Sequence, residues 1–291
     1  MTSDRGRLTL GAVAYDPKVV TIWDGFRRWF AAQGLDVDYV LFSNYERQVE
    51  ELLAGSIDVA WNSPLAWVRT RRLAEAAGGQ ARTLAMRDSD RDLTSVVVVR
   101  EGADAAVAGL SGKVVGTGAV DSPQGTLLPL AHLAQLGLDS GVTVRRFEVG
   151  VGLHGDHVGG ERDAARALVA GEVDAACMID GNHLLFAREG ILAAGSTRIV
   201  AQTPPYDHCN MTVVDGPDGG DPARDALLDR FAELLLAMDY GDPAVRPLLD
   251  LEGLKQWLPG RLEGYRQLEE AVDATGFYDQ AGRVTAQGYQ P

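Results

Sequence analysis

Residues 53–60 of the chain read LAGSIDVA, and residues 169–176 read VAGEVDAA. In both stretches a helical pattern ends at a glycine, and an aspartate then introduces an apolar run. Glycine directly after a helix suits the left-handed backbone conformation that closes many helices. Each stretch therefore predicts a helix followed by a strand. The recurrence of this unit predicts two lobes of similar topology.

Short apolar runs alternate with helical patterns on both sides of these stretches. The predicted strands cover residues 8–14, 37–42, 57–61, 113–116, 143–149 and 173–179. This alternation is typical of α/β proteins with largely parallel sheets. We predict a two-lobed α/β fold in which each lobe has a mixed, mostly parallel sheet and the ligand cleft lies between the lobes.

The predicted lobes follow the order of the chain. Residues 1–97 form the first part of lobe 1, residues 98–205 form lobe 2, and residues 206–291 form the return crossing and C-terminal helices that pack on lobe 1. A chain of 291 residues, 46% of them hydrophobic and 23% charged, is long enough for two soluble domains. The net charge of −14 argues against nucleic acid or an anionic membrane as a partner. No window of the sequence reaches the roughly 20 apolar residues of a spanning helix, so we predict no membrane insertion. We expect a monomer with a small-molecule ligand.

The start of the chain bears on its location. Residues 1–7 read MTSDRGR and lead directly into the first predicted strand. A secretory signal needs an apolar core of about 7–15 residues. The sequence as written therefore predicts a cytoplasmic protein. A periplasmic or cell-surface location is the alternative if the start is that of a mature form or is misassigned.

Polar residues follow the predicted strands at their carboxyl ends, where open α/β sheets bind ligands. The predicted ligand-binding residues are Tyr15, Asn62, Ser63, Ser122, Gln124, Gly125, Thr126, His157, Asp180, Asn182 and Asn210.

The turn at residues 122–126, SPQGT, has the strongest signal for an oxyanion. Gly125 allows a ligand to approach the backbone, and Ser122 and Thr126 offer hydroxyls. We expect the free amides of the following helix to point outward toward an anion. The alternative is a capped helix that binds nothing. Residues 62–64, NSP, precede another predicted helix and form a weaker example of the same arrangement.

Four of the five histidines fall in predicted loops at strand ends, and only His132 lies in a predicted helix. The pair His154 and His157 has a spacing seen in metal sites, and His183 is a further candidate. The surrounding glycines make that loop unlike a rigid metal cage. We therefore predict no metal and no cofactor.

His208 and Cys209 raise the possibility of a thiol nucleophile, because imidazole beside a thiol can ionise it. Neighbouring residues on a strand point to opposite faces, however, so His208 need not activate Cys209. No catalytic residue is assigned. If the chain were an enzyme, the candidates are His154, His157, His208 and Cys209.

Several motifs resemble one family. They are VAWNSPLA at residues 59–66, LSGKVV at 110–115, SPQGTLLP at 122–129, RDA at 162–164 and TPPY at 203–206. Over residues 8–215 the chain resembles the phosphonate/phosphite-binding group of the type II periplasmic binding proteins of ABC transporters. The resemblance implies the type II fold and an anionic ligand head at the 122–126 turn, opposite Asn62 and Ser63.

Two departures from the family pattern concern the ligand. Pro123 and Gln124 stand in the family's hydroxyl-rich turn, and Arg162 stands where members often carry a cleft histidine. Apart from Arg162, the predicted cleft loops hold no Arg or Lys. This composition favours a small polar molecule with a single anionic group over a strongly charged one.

The predicted function is capture of a small polar or anionic solute, phosphonate-like or a carboxylate, for ABC-type uptake or sensing. An ABC permease is then a possible partner. The alternative is a cytoplasmic enzyme on the same fold, which would use histidine and cysteine side chains for elimination or rearrangement of a small metabolite.

Overall fold

The computed structural model describes residues 6–103, 106–138, 141–148 and 157–289. The chain divides into two compact units. Unit 1 comprises Met1–Arg91, Asp207–Tyr265 and Gln280–Arg283, and unit 2 comprises Asp92–Tyr206, Arg266–Asp279 and Val284–Pro291.

The helices and strands alternate along the chain. In order they are β1 (Arg7–Val13), α1 (Lys18–Ala32), β2 (Asp36–Phe42), α2 (Tyr45–Leu53), β3 (Val59–Asn62), α3 (Pro64–Ala76), β4 (Gln80–Thr83), β5 (Ala85–Arg87), β6 (Ser95–Arg100), β7 (Val114–Thr117), α4 (Leu128–Gln135), β8 (Thr143–Arg146), α5 (His157–Ala170), β9 (Ala175–Ile179), α6 (Asp180–Arg188), β10 (Thr197–Gln202), β11 (Asn210–Asp215), α7 (Pro222–Leu236), α8 (Arg246–Glu252), β12 (Trp257–Pro259) and α9 (Arg266–Thr275).

Each unit is built on a five-stranded sheet, and the two sheets have the same topology. In unit 1 the strand order is β2-β1-β3-β11-β4, with β1 parallel to β2 and β3 and with β11 antiparallel to β3 and β4. In unit 2 the order is β8-β7-β9-β6-β10, with β7 parallel to β8 and β9 and with β6 antiparallel to β9 and β10. The predicted α/β fold with a mixed sheet in each of two similar lobes is confirmed.

The two repeated stretches occupy equivalent places in these sheets. Gly55 and Gly171, which follow α2 and α5, have φ angles of +70° and +77°. The Asp58 amide donates to the Thr9 carbonyl of β1 (2.8 Å), and the Asp58 carboxylate accepts from the Thr9 amide (2.8 Å). Asp174 makes the same pair of bonds with β7 in unit 2. The repeated aspartate therefore joins each helix–strand unit to its neighbouring parallel strand.

The cores follow from the patterns of the strands and helices. Along β6, Val96 and Val98 pack into one apolar cluster, and Val97 and Val99 pack into another. This alternation shows that the unit 2 sheet is covered on both faces. In unit 1 an aromatic core joins α1 to α7, where the rings of Phe30 and Phe231 stack with centroids 4.8 Å apart.

The C-terminal segment differs from the sequence-based division in one element. α9 packs against α4 and belongs to unit 2, whereas we expected the C-terminal helices to pack on lobe 1. The predicted boundaries at residues 97 and 205 stay predictions.

Candidate functional site

Residues 121–126, here called the Ser122 turn, follow β7 in unit 2 and are all buried. Pro123–Leu127 forms a single π-helical turn that runs into α4. The Ser122 hydroxyl accepts from the Gly125 amide (3.0 Å), and the Ser122 carbonyl accepts from the amides of Thr126 and Leu127 (3.1 Å each). The expectation of free amides at the start of this helix is therefore wrong for residues 125–127, because Ser122 itself takes their hydrogen bonds.

The Ser122 turn is anchored by the strands beside it. The Ser95 hydroxyl donates its hydrogen to the Gln124 carbonyl (2.7 Å). The Ser95 oxygen then accepts from the Tyr206 hydroxyl at 2.7 Å. Burial raises the pKa of Tyr206, so its hydroxyl keeps the proton that it donates. The Thr126 hydroxyl donates to the Ala119 carbonyl (2.8 Å). These bonds hold the turn in one conformation.

A buried carboxyl group lies against this turn. Glu161 is 0% exposed, and its Oε2 accepts from the Ile179 amide (3.0 Å) and from the Asn182 side chain (2.8 Å). A Cβ atom placed on Gly125 would lie only 3.0 Å from Glu161 Cγ and 3.1 Å from Oε1. A carboxylate at this distance repels a second anion at the turn and attracts a hydrogen-bond donor or a cation.

His157 lies in α5, not in a loop, so the predicted extent of the glycine-rich loop is wrong. Gly160 is part of this helix. A Cβ there would lie 2.5 Å from the Phe147 carbonyl, so only glycine allows the helix to pack this closely. His157 Nε2 lies 3.3 Å from Asp121 Oδ1, which joins the helix to the Ser122 turn. His154, which we placed in the same loop, lies outside the described residues.

The segment after β9 begins α6 directly. Asp180 accepts from the Thr94 hydroxyl (2.9 Å) and from the Gly181 amide (2.6 Å). His183, predicted in a loop, lies within α6 with Nε2 3.2 Å from the Thr197 hydroxyl. Burial lowers the pKa of His183, so it is neutral at physiological pH. The loop placement of His183 is wrong because the helix starts at Asp180.

Unit 1 holds a group of ionisable side chains at the end of β5, here called the Arg87 cluster and consisting of Arg87, Asp90, His208, Cys209 and Glu252. The Arg87 guanidinium donates twice to the Asp90 carboxylate, and it also donates to the Glu252 carbonyl (2.8 Å) and carboxylate (3.3 Å). Its centre lies 5.1 Å from the centre of the Trp61 ring. Asp90 is 2% exposed and His208 Nδ1 lies 3.3 Å from its Oδ1.

The two acids of the Arg87 cluster differ in protonation. Burial would raise the pKa of Asp90, but Arg87 and His208 outweigh burial and hold it at about 2. Burial is the larger influence on Glu252 and raises its pKa to about 7, although Arg87 opposes the change. At neutral pH, Asp90 is therefore ionised and Glu252 titrates.

His208 and Cys209 contact each other, contrary to the expectation that their side chains point apart. β11 begins only at Asn210, so strand geometry does not separate the two side chains. His208 Nδ1 lies 3.1 Å from Cys209 Sγ. Burial, followed by the charge of Asp90, raises the pKa of Cys209 well above its usual range. The thiol therefore stays protonated at neutral pH, which argues against its role as a nucleophile.

Tyr15 follows β1, as predicted, and is 47% exposed. Partial burial and the nearby Glu252 raise its pKa to about 12, although Arg87 opposes them. Its hydroxyl is therefore a neutral hydrogen-bond donor at physiological pH. This property suits it to contact an anionic or polar ligand.

The predicted ligand residues around β3 have structural partners. Buried Asn62 accepts from Gln48 (2.8 Å) and donates to Thr70 (3.2 Å). Ser63 caps α3 by accepting from the Ala66 amide (3.3 Å). These bonds account for their positions without a ligand, so ligand contact by Asn62 and Ser63 stays a prediction.

Asn210 is also fully buried in unit 1. Its amide donates to the Tyr265 hydroxyl (2.9 Å), and its carbonyl accepts from the Thr212 hydroxyl (2.6 Å). A direct ligand contact by Asn210 likewise stays a prediction.

A separate cavity of about 450 Å³ lies in unit 1, at the sheet edge where β1 and β3 begin. Arg224 on its wall is paired with Asp58 (3.4 Å) and donates to the Asp58 carbonyl (3.0 Å). None of the predicted ligand residues lines this cavity, so we assign no ligand to it.

Comparison with known proteins identifies the family. The family model described as "ABC transporter, phosphonate, periplasmic substrate-binding protein" matches residues 12–265. The chain belongs to this family. No curated protein matches the chain by sequence.

Solved structures of the family's fold resemble the chain at low sequence identity. PhnD1 from Prochlorococcus marinus, in complex with methylphosphonate, is 17% identical with a TM-score of 0.63, covering 93% of this chain and 98% of that one. A Xanthomonas citri protein bound to ATP is 19% identical with a TM-score of 0.65, covering 92% and 96%. The aliphatic sulphonate binding protein SsuA from Escherichia coli is 15% identical with a TM-score of 0.53, covering 98% and 94%. These likenesses support the type II fold.

Family membership confirms that the chain is a solute-binding protein with a small-molecule ligand and an ABC transporter as partner. The expectation of a cytoplasmic location is wrong, because this is a family of periplasmic binding proteins. None of the described helices is both long and apolar enough to cross a bilayer.

The arginine singled out from the sequence, Arg162, differs from the arginine that organises the ionisable side chains of unit 1, Arg87. Arg162 forms a bidentate pair with Glu189 (3.0 Å each) and lies over Phe186. Partly buried Arg87 was not singled out, although it follows an apolar run and is three residues from Asp90, a spacing that suggests an ion pair. Glu161 was also missed as a site residue.

Proposed function

We propose that the protein binds a small solute that carries one oxyanion group, phosphonate-type or carboxylate, and a hydrogen-bond-donating or cationic group. The match to the phosphonate-binding family carries this proposal, since residues 12–265 include every predicted ligand residue from Tyr15 to Asn210. Delivery to an ABC permease follows from the same membership. The net charge of −14 supports a function without nucleic acid, and a monomer is the expected state.

Glu161 supports the second group on the solute. Its carboxyl lies against Gly125, and the Gly125 amide is already used by Ser122. A phosphonate dianion alone would face this carboxyl with few free amides to offset its charge. An ammonium or hydroxyl group on the solute would instead meet an acceptor.

The Tyr15 side chain of unit 1 is an example of the donor that an oxyanion needs. Tyr15 is 47% exposed, and its hydroxyl is neutral because its pKa is raised to about 12. A single negative charge can be satisfied by such donors without a nearby arginine. This supports a monoanionic head on the solute.

Calorimetric titration of the purified chain with matched pairs of solutes tests the proposal. Methylphosphonate is compared with 2-aminoethylphosphonate, and acetate is compared with glycine. We expect the amino member of at least one pair to bind at least about 10-fold more tightly, because a charge-assisted hydrogen bond contributes roughly 1.5–3 kcal/mol. Glu161→Gln should remove this preference.

Ser122→Ala tests the turn itself, and Asp221→Ala is its matched control. Asp221 also caps a helix, α7, by accepting from the Ala223 amide (3.0 Å), but it is not a predicted ligand residue. Both variants should lose about 1 kcal/mol of stability, while only Ser122→Ala should lose affinity. Wild-type affinity in Ser122→Ala would refute a role for the turn, and a failure of every solute to bind would refute the proposed ligand class.

A further inference from the structure

Three different metal-ligating atoms converge in the Arg87 cluster of unit 1. Asp90 lies in a single helical turn after β5, and His208 and Cys209 directly precede β11. The Asp90 carboxylate, the His208 ring nitrogen and the Cys209 sulfur all lie within 4.8 Å of one another. The His208 amide also donates to the Asp90 carbonyl (2.8 Å), so the two segments are joined through their backbones.

We propose that Asp90, His208 and Cys209 form a zinc-binding site. The edges of a zinc tetrahedron follow from Zn–N and Zn–O of about 2.0 Å and Zn–S of about 2.3 Å, and they are about 3.3 Å for N···O and about 3.5 Å for N···S. The observed distances from His208 Nδ1 are 3.3 Å to Asp90 Oδ1 and 3.1 Å to Cys209 Sγ. Two of the three edges are therefore within a few tenths of an ångström of the zinc values, and the third, from the Asp90 carboxylate to Cys209 Sγ, is no longer than 4.8 Å.

The donor set favours zinc over the harder divalent cations. Thiolate and imidazole are preferred ligands of Zn²⁺, whereas Ca²⁺ and Mg²⁺ take oxygen ligands almost alone. Coordination requires that Cys209 give up its thiol proton, which passes to solvent as the Zn–S bond forms. A water molecule would complete a fourth position, because three protein ligands are present.

The charges within the Arg87 cluster fit a dication. Arg87 is positive and holds Asp90 by two hydrogen bonds, which fixes the orientation of the carboxylate in the way that outer partners orient metal ligands. Glu252 lies 3.3 Å from Arg87 and provides a further acid that offsets the arginine charge. The ionised forms of Asp90, Glu252 and Cys209 together balance zinc and Arg87.

An ion can reach the site through His208. Its side chain is 20% exposed, whereas Asp90 and Cys209 are almost fully buried. Cys177 is a useful contrast, since it is a fully buried thiol in β9, in an apolar cluster of unit 2.

Metal titration of the tag-free, chelator-treated chain tests the site. Zn²⁺ is added in competition with a chromophoric chelator, and Co²⁺ is added to a second sample to detect the thiolate-to-cobalt charge-transfer band. We expect one equivalent of metal and a clear near-ultraviolet cobalt band in the wild type. Cys209→Ser should lose the band, and His208→Ala should weaken zinc binding by at least about 10-fold. Cys177→Ala and His183→Ala are the matched controls and should bind as the wild type does.

Zinc stoichiometry and the cobalt–thiolate band of the wild-type chain test the zinc site even if a variant folds poorly. No stoichiometric zinc and no cobalt–thiolate band in the wild type would overturn the proposal and leave the three residues as a hydrogen-bonded group. A band that persists in Cys209→Ser but disappears in Cys177→Ala would also overturn it. Solute binding is measured separately, so its failure would not bear on the zinc site.

Discussion

The Arg87 cluster of unit 1 and the Ser122 turn of unit 2 satisfy buried polar groups in different ways, although their sheets share one topology. In the Arg87 cluster, charged side chains pair with one another around a guanidinium. In the Ser122 turn, backbone amides and hydroxyls bond within the turn, and close glycine packing brings α5 against it. Electrostatics dominates the first region, and backbone packing dominates the second.

The difference shows that the shared topology leaves the chemistry of each region open. Strand order is maintained by the repeated aspartates and by strand pairing, whereas Asp90, His208, Cys209 and the Ser122 turn lie in segments that connect the strands. The loops can therefore diverge without disturbing the sheets. Substitutions in the Arg87 cluster, beside the Ser122 turn and at the repeated aspartates of both units test this difference.

Removal of the central arginine should have the largest effect. Arg87→Met removes both guanidinium hydrogen bonds from buried Asp90 and leaves His208 beside it, and we expect a loss of about 3–5 kcal/mol in the free energy of unfolding. Urea denaturation at neutral pH, followed by circular dichroism, measures it.

The matched control is Arg162→Met in unit 2. Arg162 also forms a bidentate pair, but with Glu189 at the surface, where such pairs contribute at most about 1 kcal/mol. Equal losses in the two variants would contradict the view that the Arg87 cluster depends on buried charge.

The stability of the protein should decrease with rising pH as Glu252 loses its proton. Its pKa in the folded chain, about 7, lies above the ordinary value of 4.5, so the folded state holds the proton more tightly than the unfolded chain. The resulting stabilisation is complete below about pH 4.5 and is lost as pH rises through 7. Relative to Glu252→Gln, the wild type should lose roughly 1–3 kcal/mol between pH 5 and pH 8. Denaturant midpoints at four pH values measure this.

The pKa of Glu189 is shifted in the opposite direction from that of Glu252. Its bonds to Arg162 lower its pKa, so its contribution is present above its ordinary pKa and is lost as pH falls. A Glu189→Gln variant should therefore leave the slope between pH 5 and pH 8 unchanged. If Glu252→Gln also left it unchanged, the titrating group would lie elsewhere.

A single methyl group should disturb the packing beside the Ser122 turn. In Gly160→Ala the new Cβ would lie 2.5 Å from the Phe147 carbonyl, so we expect a loss of about 1–3 kcal/mol. Gly181→Ala is the control, since nothing lies within 4 Å of its Cβ position and it lies in a helix, α6. That variant should be neutral or slightly stabilising. Thermal melting of both variants compares them, and equal melting temperatures would contradict close packing at Gly160.

The sequence allowed the fold to be predicted because the relevant signals are local. The alternation of apolar runs with helical patterns identified the mutually parallel strands of both five-stranded sheets, and the repeat at residues 53–60 and 169–176 indicated two similar sheets. Ser63 was recognisable as a helix start because the cap and the following proline are adjacent in sequence. Such features require no knowledge of distant neighbours.

The site was harder to predict because its contacts join distant parts of the chain. Arg87 meets Glu252, 165 residues away, and no short motif records that pairing. The free amides expected at residues 125–127 were lost to Ser122, since a π-helical turn changes which groups meet. A glycine-rich stretch is typical of a loop, but Gly160 lies in a helix, where its lack of a side chain allows close packing.

The smallest effects should come from the repeated aspartates, which test what the two units have in common. Asp174→Ala removes the bond from the Val114 amide (2.9 Å) and should cost about 1 kcal/mol. Asp58→Ala removes the equivalent bond from the Thr9 amide and also a partner of Arg224 at 3.4 Å, so its loss should be slightly larger. The Asp→Asn variants keep an oxygen that can accept the amide hydrogen and should recover most of the stability at both positions. Denaturant unfolding of the four variants measures this, and a loss at only one of the two positions would mean that the repeat does not have the same structural role in the two sheets.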